Sequence, residues 1–366
     1  MNKSRLAILP LAATLLAACG GNPTSISSNI TSSTKSETSS SDGSVSSSEA
    51  STTSETSTSS ETTSVAPYDV KWVTPTGSPT LAFYNQGNNA NWVSSSSPAT
   101  VVLPAFATNS YDAIVFDGLT GLNVIKKNSA HYKLATWLTG GSFYIVSTKH
   151  TVSDAFDASY TIDGFVKTGN AAQAFLKLAK DNWAWAYNDA NITWEAGVAD
   201  VKTHLVTDNT AYDYYLVAEP VLTAAKAALA AKSVTLNVIY NLQTEWAKYY
   251  KQTTIPAAGL FINSTSYADA SKKAAIDTFL ADTQTRIATA LSTPADVKTA
   301  LDAYGSETEQ SNRFGFTGTL ANALQSNGAN KFALLKDSDI ADRKAFANDF
   351  ASAIGSSVSF DDTYFL

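Results

Sequence analysis

The chain has 366 residues, and 44% of them are hydrophobic, which is enough apolar material for one large core or two. Its formal net charge of −7 and the lack of a basic run argue against a nucleic acid as partner and against a polybasic membrane-binding patch. A single cysteine, Cys19, excludes an intramolecular disulfide, and the three histidines (His131, His150 and His204) lack metal-ligand spacing, so the sequence predicts no metal and no other cofactor.

Residues 1–18 have the form of a secretory signal. Lys3 and Arg5 give a short basic start, an apolar stretch of about a dozen residues follows, and small residues precede Cys19. The apolar stretch is too short to span a bilayer as a helix. The sequence LAACG at 16–20 resembles the bacterial lipobox, which implies cleavage before Cys19, acylation of that cysteine and anchoring at the outer face of the cell membrane. The alternatives are ordinary cleavage that leaves a free thiol, or a buried core cysteine.

Residues 19–66 are predicted to be a flexible tether. The segment after Cys19 is dominated by serine, threonine and acidic residues, and it cannot bury enough apolar surface to offset the entropy of ordering. As a random coil, the 47 residues at 20–66 have a root-mean-square span on the order of 35–40 Å. A folded body is therefore predicted to begin near Pro67, outside the cytoplasm, either close to the membrane or beyond a cell wall.

Strand-like and helix-like segments alternate along the body from residue 68. Short apolar runs typical of strands are VKWVTP, DAIVF, KLATWL, SFYIVST and YDYYLVA. Helical patterns occur in NAAQAFLKLAKDNWAWAY and EPVLTAAKAALAAK, at 266–291 and 294–304, and near 338–354. This alternation predicts an α/β fold in which mostly parallel sheets are covered by helices on both faces.

Two similar junctions join a strand to a helix, at 72–83 (WVTPTGSPTLAF) and at 164–176 (GFVKTGNAAQAFL). Each has a threonine before a glycine, and a serine or asparagine in the N-cap position after it. In an open α/β sheet such turns lie at the carboxyl ends of strands, where ligands bind, and the helix start offers unpaired N–H groups. The alternative is an ordinary connection without a ligand, and the sequence leaves both interpretations open. Neither GxGxxG nor P-loop spacing is present, so no phosphate cofactor is indicated.

The order of several segments resembles the solute-binding lipoproteins of ABC importers, in the nitrate/sulfonate/taurine-type group with the type II periplasmic-binding-protein fold. The matching segments are YDAIVFDGLTGLNVIKKNSAHYKLATWLTGGSFYIVST, DGFVKTGNAAQAFLKLA, DYYLVAEPVLTAAK, IPAAGLFIN and FANDFASAIGSSVSFDDTYF. The resemblance implies two α/β lobes, the first built from 67–147 and 257–366 and the second from 148–256, each with a mostly parallel sheet flanked by helices. It also implies that a ligand binds between the lobes, which close over it, and that the protein docks on a membrane permease.

Thirteen residues at strand ends and helix starts are candidates for ligand contact. They are Thr76, Gly77, Ser78, Thr80, Asp117, Gly118, Thr120, Gly141, Ser142, Thr168, Gly169, Asn170 and Glu219. The family often has an uncharged residue where Asp117 stands, which makes an acidic ligand at that position less expected. Glu219 either accepts hydrogen bonds from a polar or cationic ligand or is a carboxylate favoured by the helix dipole.

Six further residues have two possible roles. Arg313 either pairs with a ligand carboxylate or sulfonate, or forms an exposed ion pair. Five aromatic residues either stack on a flat ligand or pack in the core: Trp72, Trp92, Trp137, Tyr144 and Trp185.

The sequence therefore predicts a monomeric, lipid-anchored binding protein that captures a small polar solute for an ABC importer and performs no catalysis. The solute options are an anionic or a flat heteroaromatic compound. The first alternative is an enzyme on the same fold, such as a hydrolase or a pyrimidine-precursor synthase, although no Gly-x-Ser-x-Gly elbow is present and carboxylate pairs such as Glu195 and Asp200 occur on surfaces by chance. The second is a surface interaction protein without a small ligand.

Overall fold

The computed structural model describes residues 69–152, 154–183, 185 and 187–366. The predicted signal peptide, the lipidation site Cys19 and the tether lie outside the described residues. The described residues form ten strands: β1 (Trp72–Pro75), β2 (Trp92–Ser95), β3 (Ala113–Asp117), β4 (Tyr132–Trp137), β5 (Phe143–Ser147), β6 (Ile162–Phe165), β7 (Ile192–Glu195), β8 (Tyr214–Ala218), β9 (Asn237–Asn241) and β10 (Ala258–Asn263).

Helices account for most of the remaining regular structure. The α-helices in the described part are α1 (Pro98–Val101), α2 (Ala105–Thr108), α3 (Gly118–Asn128), α4 (Asn170–Asp181), α5 (Val198–Thr207), α6 (Val221–Ala230), α7 (Leu242–Tyr249), α8 (Ser264–Ala268), α9 (Ala270–Ser292), α10 (Pro294–Tyr304), α11 (Glu307–Phe314), α12 (Gly318–Gln325) and α13 (Arg343–Ala353). Short 3-10 helices lie at Ser78–Phe83, Asp189–Asn191, Ser326–Gly328, Asp337–Asp339 and Asp362–Tyr364.

The strands form two five-stranded sheets with the same internal plan. The first has the order β2-β1-β3-β10-β4, and the second has the order β7-β6-β8-β5-β9. In each sheet one strand, β10 or β5, runs antiparallel to both of its neighbours, while the other paired strands are parallel. Helices pack against both sheets. The predicted α/β fold with two mostly parallel sheets is therefore confirmed, and each sheet with its helices is called a lobe below.

The chain crosses between the lobes at 138–142 and again at 250–257. The two crossing segments lie side by side, because Gly141 N donates to Ile255 O at 2.8 Å and Ala257 N donates to Thr139 O at 3.1 Å. β5 and β10 are the first strands after the two crossings. The predicted boundary at 147 assigned β5 to the first lobe, but its pairing with β8 and β9 places it in the second. The chain has already crossed before this strand begins.

Apolar packing occurs within each lobe and also continues between them. One buried cluster belongs to the first lobe and one to the second, while a third draws residues from both. The C-terminal helix α13 takes part in the shared cluster. Its Phe350 ring lies 5.1 Å from Trp246 of α7, in the second lobe, and its Phe346 ring lies 5.3 Å from Trp137 of β4, in the first. This helix therefore packs against both halves of the body.

Candidate functional site

A cleft of about 660 Å³ lies where the carboxyl ends of strands from both sheets face each other. The first lobe contributes the segment 75–79 after β1, the end of β3, and residues of the α11–α12 region. The second lobe contributes the segment after β6, the start of α5, and the β8–α6 junction. The two crossing segments and the first residues of the strands after them supply further lining residues: Thr139, Gly141, Ser142, Phe143, Ala257 and Ala258. Ligands of α/β proteins bind at such strand ends, so the cleft is the candidate site.

The first junction turns sharply at Gly77, which lies in the cleft wall. Its φ of 102° and ψ of −154° belong to a region of backbone conformation that is essentially restricted to glycine. Gly77 N donates to Phe314 O at 2.7 Å, and the Thr80 hydroxyl lies 2.8 Å from both Gly77 O and Phe314 O. Thr80 is fully buried and does not line the cleft. Its hydroxyl therefore shapes the turn, and Gly77 and its neighbours form the wall.

Ser78 links the first junction to the second lobe. No side chain caps the 3-10 helix that begins at this residue. Instead, Ser78 Oγ donates to Glu219 O at 2.9 Å, across the cleft. Thr76, Gly77 and Ser78 all line the cleft.

Asp117 connects both lobes through its carboxylate. It ends β3 and caps α3, where Oδ1 accepts from Thr120 N at 2.9 Å. Oδ2 accepts from Asn170 N, at the start of α4 in the second lobe, at 2.7 Å. Burial raises the pKa of the Asp117 carboxyl to about 6, and the hydrogen bonds from Asn170 and Thr120 oppose that rise. One carboxylate therefore accepts hydrogen bonds from backbone N–H groups at the starts of two helices, α3 and α4. The same residue also lines the cleft.

Two further hydrogen bonds support this contact between the lobes. The Thr120 hydroxyl donates to Thr168 O at 2.9 Å, and Asn170 Nδ2 donates to Pro256 O of a crossing segment at 2.7 Å. Asn170 is fully buried and its Oδ1 has no hydrogen-bond partner. Gly169 lines the cleft beside this network, whereas Thr120, Thr168 and Asn170 do not.

Glu219 lies at the end of β8 and is 5% exposed. Its carboxylate accepts from Thr223 N at 3.0 Å and from the Thr223 hydroxyl at 2.9 Å, at the start of α6. Burial raises the pKa of the Glu219 carboxyl, and the bonds from Thr223 oppose that shift. The backbone of Glu219 is also engaged, because its N–H donates to Ser142 O at 3.0 Å. This environment matches the helix-start role considered from the sequence, and the residue also lines the cleft.

The glycines at 118 and 141 are explained by close packing. A Cβ at Gly141 would lie 1.8 Å from the Gln243 side chain, and a Cβ at Gly118 would lie 2.0 Å from the Trp137 ring. Gln243 Oε1 accepts from Ile255 N at 3.0 Å, so Gly141 leaves room for a side chain that supports the second crossing. Gly141 lines the cleft together with Ser142, whereas Gly118 does not.

Eight of the thirteen predicted residues therefore line the cleft: Thr76, Gly77, Ser78, Asp117, Gly141, Ser142, Gly169 and Glu219. The other five, Thr80, Gly118, Thr120, Thr168 and Asn170, lie behind them in the packing and hydrogen-bond network that shapes the wall. Contact between any of these residues and a ligand stays a prediction.

The six residues with two possible roles lie outside the cleft lining. Trp72 and Trp92 stack on each other at 6.0 Å, Trp137 packs against Phe346, and Trp185 stacks on Phe156 at 3.8 Å. Tyr144 is half-buried in β5. The Arg313 guanidinium lies 4.2 Å from the centre of the Trp92 ring and donates to Asn89 O at 3.2 Å. The structure thus places these side chains in core or surface packing.

Sequence reasoning missed several residues of the lining. Apolar side chains form most of the wall: Phe116, Phe143, Phe165, Val198, Phe316 and Leu320. Polar groups come from Ser311, Asn312 and Thr317, and Lys202 is the one cationic side chain among the described residues of the lining. Phe165 lies in a junction that was already recognisable. The α11–α12 region gives no such local signal, because only the fold brings it back to the cleft.

No protein-family model matches the chain, and no curated protein matches it by sequence. Solved structures do match. An ABC transporter protein from Parabacteroides distasonis is 13% identical with a TM-score of 0.53, covering 81% of this chain and 98% of its own. The ligand-binding component of an ABC-type import system from Staphylococcus aureus, with zinc bound, is 10% identical with a TM-score of 0.56, covering 78% and 90%. A candidate periplasmic sulfonate-binding protein from Methylobacillus flagellatus is 13% identical with a TM-score of 0.50, covering 82% and 92%.

These likenesses concern the fold, since the identities are low. They show that the chain shares its fold with these proteins, one of which is the ligand-binding component of an ABC-type import system, in agreement with the fold that the resemblance in sequence implied. Within the described part of the chain, no helix combines the length and apolar character that crossing a membrane requires.

Proposed function

We propose that this protein binds a small solute in the cleft and delivers it to an ABC importer. The observation that carries the proposal is the cleft of about 660 Å³ between two sheets that are joined by paired crossing segments. A volume of this size suits a small molecule, and paired crossings are where two lobes can hinge. Proteins of the same fold include the ligand-binding component of an import system, which supports delivery to a permease.

The charges of the lining favour an uncharged or cationic solute over an anionic one. The described lining residues include two carboxylates, Asp117 and Glu219, and one lysine, Lys202, whereas Arg313 is held against Trp92 outside the lining. Tight recognition of a sulfonate or carboxylate generally uses the paired donors of an arginine. The wall is mostly aromatic and aliphatic, which suits a flat molecule with hydrogen-bond donors at its edge. Of the two options from the sequence, we therefore adopt the flat heteroaromatic one.

A ligand screen with matched charge classes tests this proposal. Purified protein is heated with alkanesulfonates, nitrate, neutral pyrimidines and cationic amines of similar size, and hits are titrated calorimetrically. We expect neutral or cationic flat compounds to raise the melting temperature, because a ligand that binds only the folded state stabilises it. Binding of sulfonates alone would overturn the ligand class and leave the binding function in place. Failure of every class, together with no retained guest in native mass spectrometry of protein from its own host, would overturn the function.

Delivery to an importer has its own test. Deletion of the gene in the host should abolish uptake of the compound that binds in the screen, and the wild-type gene should restore it. Normal uptake in the deletion strain would contradict the transport role even if the compound binds tightly.

We also propose that Cys19 is acylated, that the tether holds the body outside the membrane, and that the body acts as a monomer. The lipobox-like sequence before Cys19 supports the anchor. The variant Cys19→Ser should move the protein from the membrane fraction to the soluble fraction and should lose incorporation of labelled palmitate. Retention in the membrane fraction would contradict lipid anchoring. Light scattering of the soluble variant should give the mass of one chain.

A further inference from the structure

Three ligating side chains meet on the second lobe, outside the lining of the cleft: Asp163 of β6, Glu195 of β7 and His204 of α5. His204 Nδ1 lies 3.0 Å from Asp163 Oδ2 and 3.8 Å from Glu195 Oε1. One ligating atom from each residue falls within 4.8 Å of the others. Spacing along the chain gives no hint of this cluster, because the residues come from three separate elements.

The sheet register explains how the cluster forms. β6 and β7 pair in parallel with Asp163 opposite Thr193 and Phe165 opposite Glu195. Because side chains alternate along a strand, Asp163 and Glu195 project from the same face of the sheet. Helix α5 packs on β6, β7 and β8. His204 therefore reaches down to the two carboxylates from the last turn of this helix.

Asp163 carries the strongest indication of a ligand. The residue is fully buried, its Oδ1 has no hydrogen-bond partner, and the hydrogen bond of its Oδ2 is made to His204, within the cluster. A buried carboxylate with so little support is costly. Two carboxyl groups, those of Asp163 and Glu195, therefore share one histidine side chain as their partner in the cluster.

We propose that Asp163, Glu195 and His204 bind a divalent transition-metal ion, with zinc as the ion that suits the donors best. Zinc accepts histidine nitrogen and carboxylate oxygen at about 2.0–2.2 Å, which separates tetrahedral ligands by about 3.3 Å. The distances of 3.0 and 3.8 Å from His204 Nδ1 differ from that separation by about 0.3 and 0.5 Å, and all three ligating atoms lie within 4.8 Å of one another. A histidine ligand disfavours magnesium and calcium, which prefer oxygen donors throughout.

The partial exposure of two of the three side chains leaves an entry path for an ion. The side chains of His204 and Glu195 are 39% and 24% exposed, so the cluster opens to solvent on that side. The Tyr212 ring lies 6.0 Å from the His204 ring, with the two ring planes inclined by 28°. An ion bound here would link α5 to β6 and β7. The first two turns of α5 line the cleft at Val198, Ala199 and Lys202.

Metal titration of the full chain tests the site. The protein is untagged, carries Cys19→Ser in every version to remove its one thiol, and is stripped with a chelator before calorimetry with zinc chloride. We expect one zinc per chain by mass spectrometry of the metal content. His204→Ala and Glu195→Gln should each weaken binding by at least about 100-fold, since even loss of an outer-shell partner costs about 10- to 100-fold. Cobalt bound in place of zinc should give a visible absorption spectrum typical of four or five ligands.

Two histidine variants serve as controls. His131→Ala changes an exposed histidine, and His150→Ala changes the histidine that lies 3.7 Å from Asp154 and 3.6 Å from Asp213. Neither should alter zinc affinity. The proposal fails if the stripped protein does not bind zinc, if His204→Ala binds as tightly as the parent, or if His150→Ala abolishes binding instead. Circular dichroism of each variant without metal shows whether it is folded. Because His204 and Glu195 are only partly buried, their variants keep the test valid even if Asp163→Asn does not fold.

Discussion

The two strand-to-helix junctions have nearly the same sequence pattern but different local chemistry. In the first, Gly77 has a φ of 102° and the helix start that follows has no side-chain cap. In the second, Gly169 has an ordinary extended conformation, with a φ of −76°, and the N–H of Asn170 donates to the carboxylate of Asp117. The second helix start is therefore satisfied by a residue from the other lobe.

This difference shows that a motif alone does not determine whether backbone N–H groups are left for a ligand. Whether those N–H groups are already bonded depends on a hydrogen-bond acceptor far along the chain. Asp117 is 53 residues from Asn170 and reaches it only because the lobes face each other. In the first junction, by contrast, Gly77 and Ser78 line the cleft, and the hydroxyl of Ser78 already donates to Glu219 O.

The substitution with the largest expected effect is Asp117→Ala. It removes the acceptor for the N–H groups of Thr120 and Asn170, which belong to residues that are 7% and 0% exposed. Leaving buried donors unpaired and losing a helix cap should lower the free energy of unfolding by about 2–4 kcal/mol at pH 7. Urea unfolding followed by tryptophan fluorescence measures this change.

Asp269→Ala is the matched control for Asp117→Ala. Asp269 also caps a helix, α9, but it is exposed and its backbone donors, Ser271 N and Lys272 N, lie on that same helix. We expect a loss of about 0.5–2 kcal/mol. Equal losses of unfolding free energy in Asp117→Ala and Asp269→Ala would mean that the hydrogen bond from Asn170 to Asp117 adds no stability beyond that of an ordinary helix cap.

The two glycines give the most direct comparison of the junctions. Gly77→Ala should destabilise the protein by about 1–3 kcal/mol, because no residue with a Cβ adopts its backbone conformation without strain. The cost is due to the backbone alone, since a Cβ at Gly77 would have no atom within 4 Å. Gly169→Ala should lower the free energy of unfolding by less than about 1 kcal/mol. The new Cβ would lie 3.1 Å from Val166 O, which is a tight contact that a small shift relieves. A larger loss of stability for Gly169→Ala than for Gly77→Ala would mean that the strained turn lies in the second junction and not in the first.

The pH dependence of stability tests the burial of Asp117. Its pKa of about 6 in the folded protein exceeds the ordinary value of 3.8, so the folded state holds the proton more tightly than the unfolded chain. The resulting stability is fully present below about pH 4 and is lost as the pH rises through 6. Between these values the wild type should lose up to about 1.4 kcal/mol per pH unit relative to Asp117→Asn.

Comparison with Asp117→Asn isolates this residue from other groups. Asp163 also has a raised pKa of about 6, but it is present in both proteins and its contribution cancels. Unfolding free energies measured at several pH values supply the two slopes. Parallel slopes for the two proteins would show that Asp117 titrates normally.

The sequence predicted those parts of the fold that depend on local pattern. Apolar strands such as Ala113–Asp117 and the helix Pro294–Tyr304 are visible in their own residues, as is the position of both junctions at strand ends. The crossing point was placed too late, because β5 reads as an apolar strand whichever sheet it joins. Its partners, β8 and β9, begin only at Tyr214 and Asn237, far along the chain from the end of β5 at Ser147.

The details of the site depended on contacts that no local pattern reports. Residues of the α11–α12 region, such as Asn312 and Phe316, reach the cleft through the fold of the C-terminal half. The cluster of Asp163, Glu195 and His204 likewise requires the register of two strands and the docking of a helix. Residue type at strand ends therefore located the cleft, while the identity of most of its wall required the structure.

The smallest expected effect belongs to Ser78→Ala, which removes the hydrogen bond from the first junction to Glu219 O. A single neutral hydrogen bond contributes about 0.5–1.5 kcal/mol to stability. Because this bond crosses the cleft, its loss should also let the lobes separate more often, and small-angle scattering of ligand-free protein should give a larger radius of gyration. Thr223→Ala is the matched control, since its hydroxyl bonds to the Glu219 carboxylate within the second lobe. A similar loss of stability in both variants, with a larger radius of gyration in Ser78→Ala alone, would show that the first junction helps to hold the two lobes together. An unchanged radius of gyration in Ser78→Ala would assign that role to Asp117 and to the buried cluster that both lobes share.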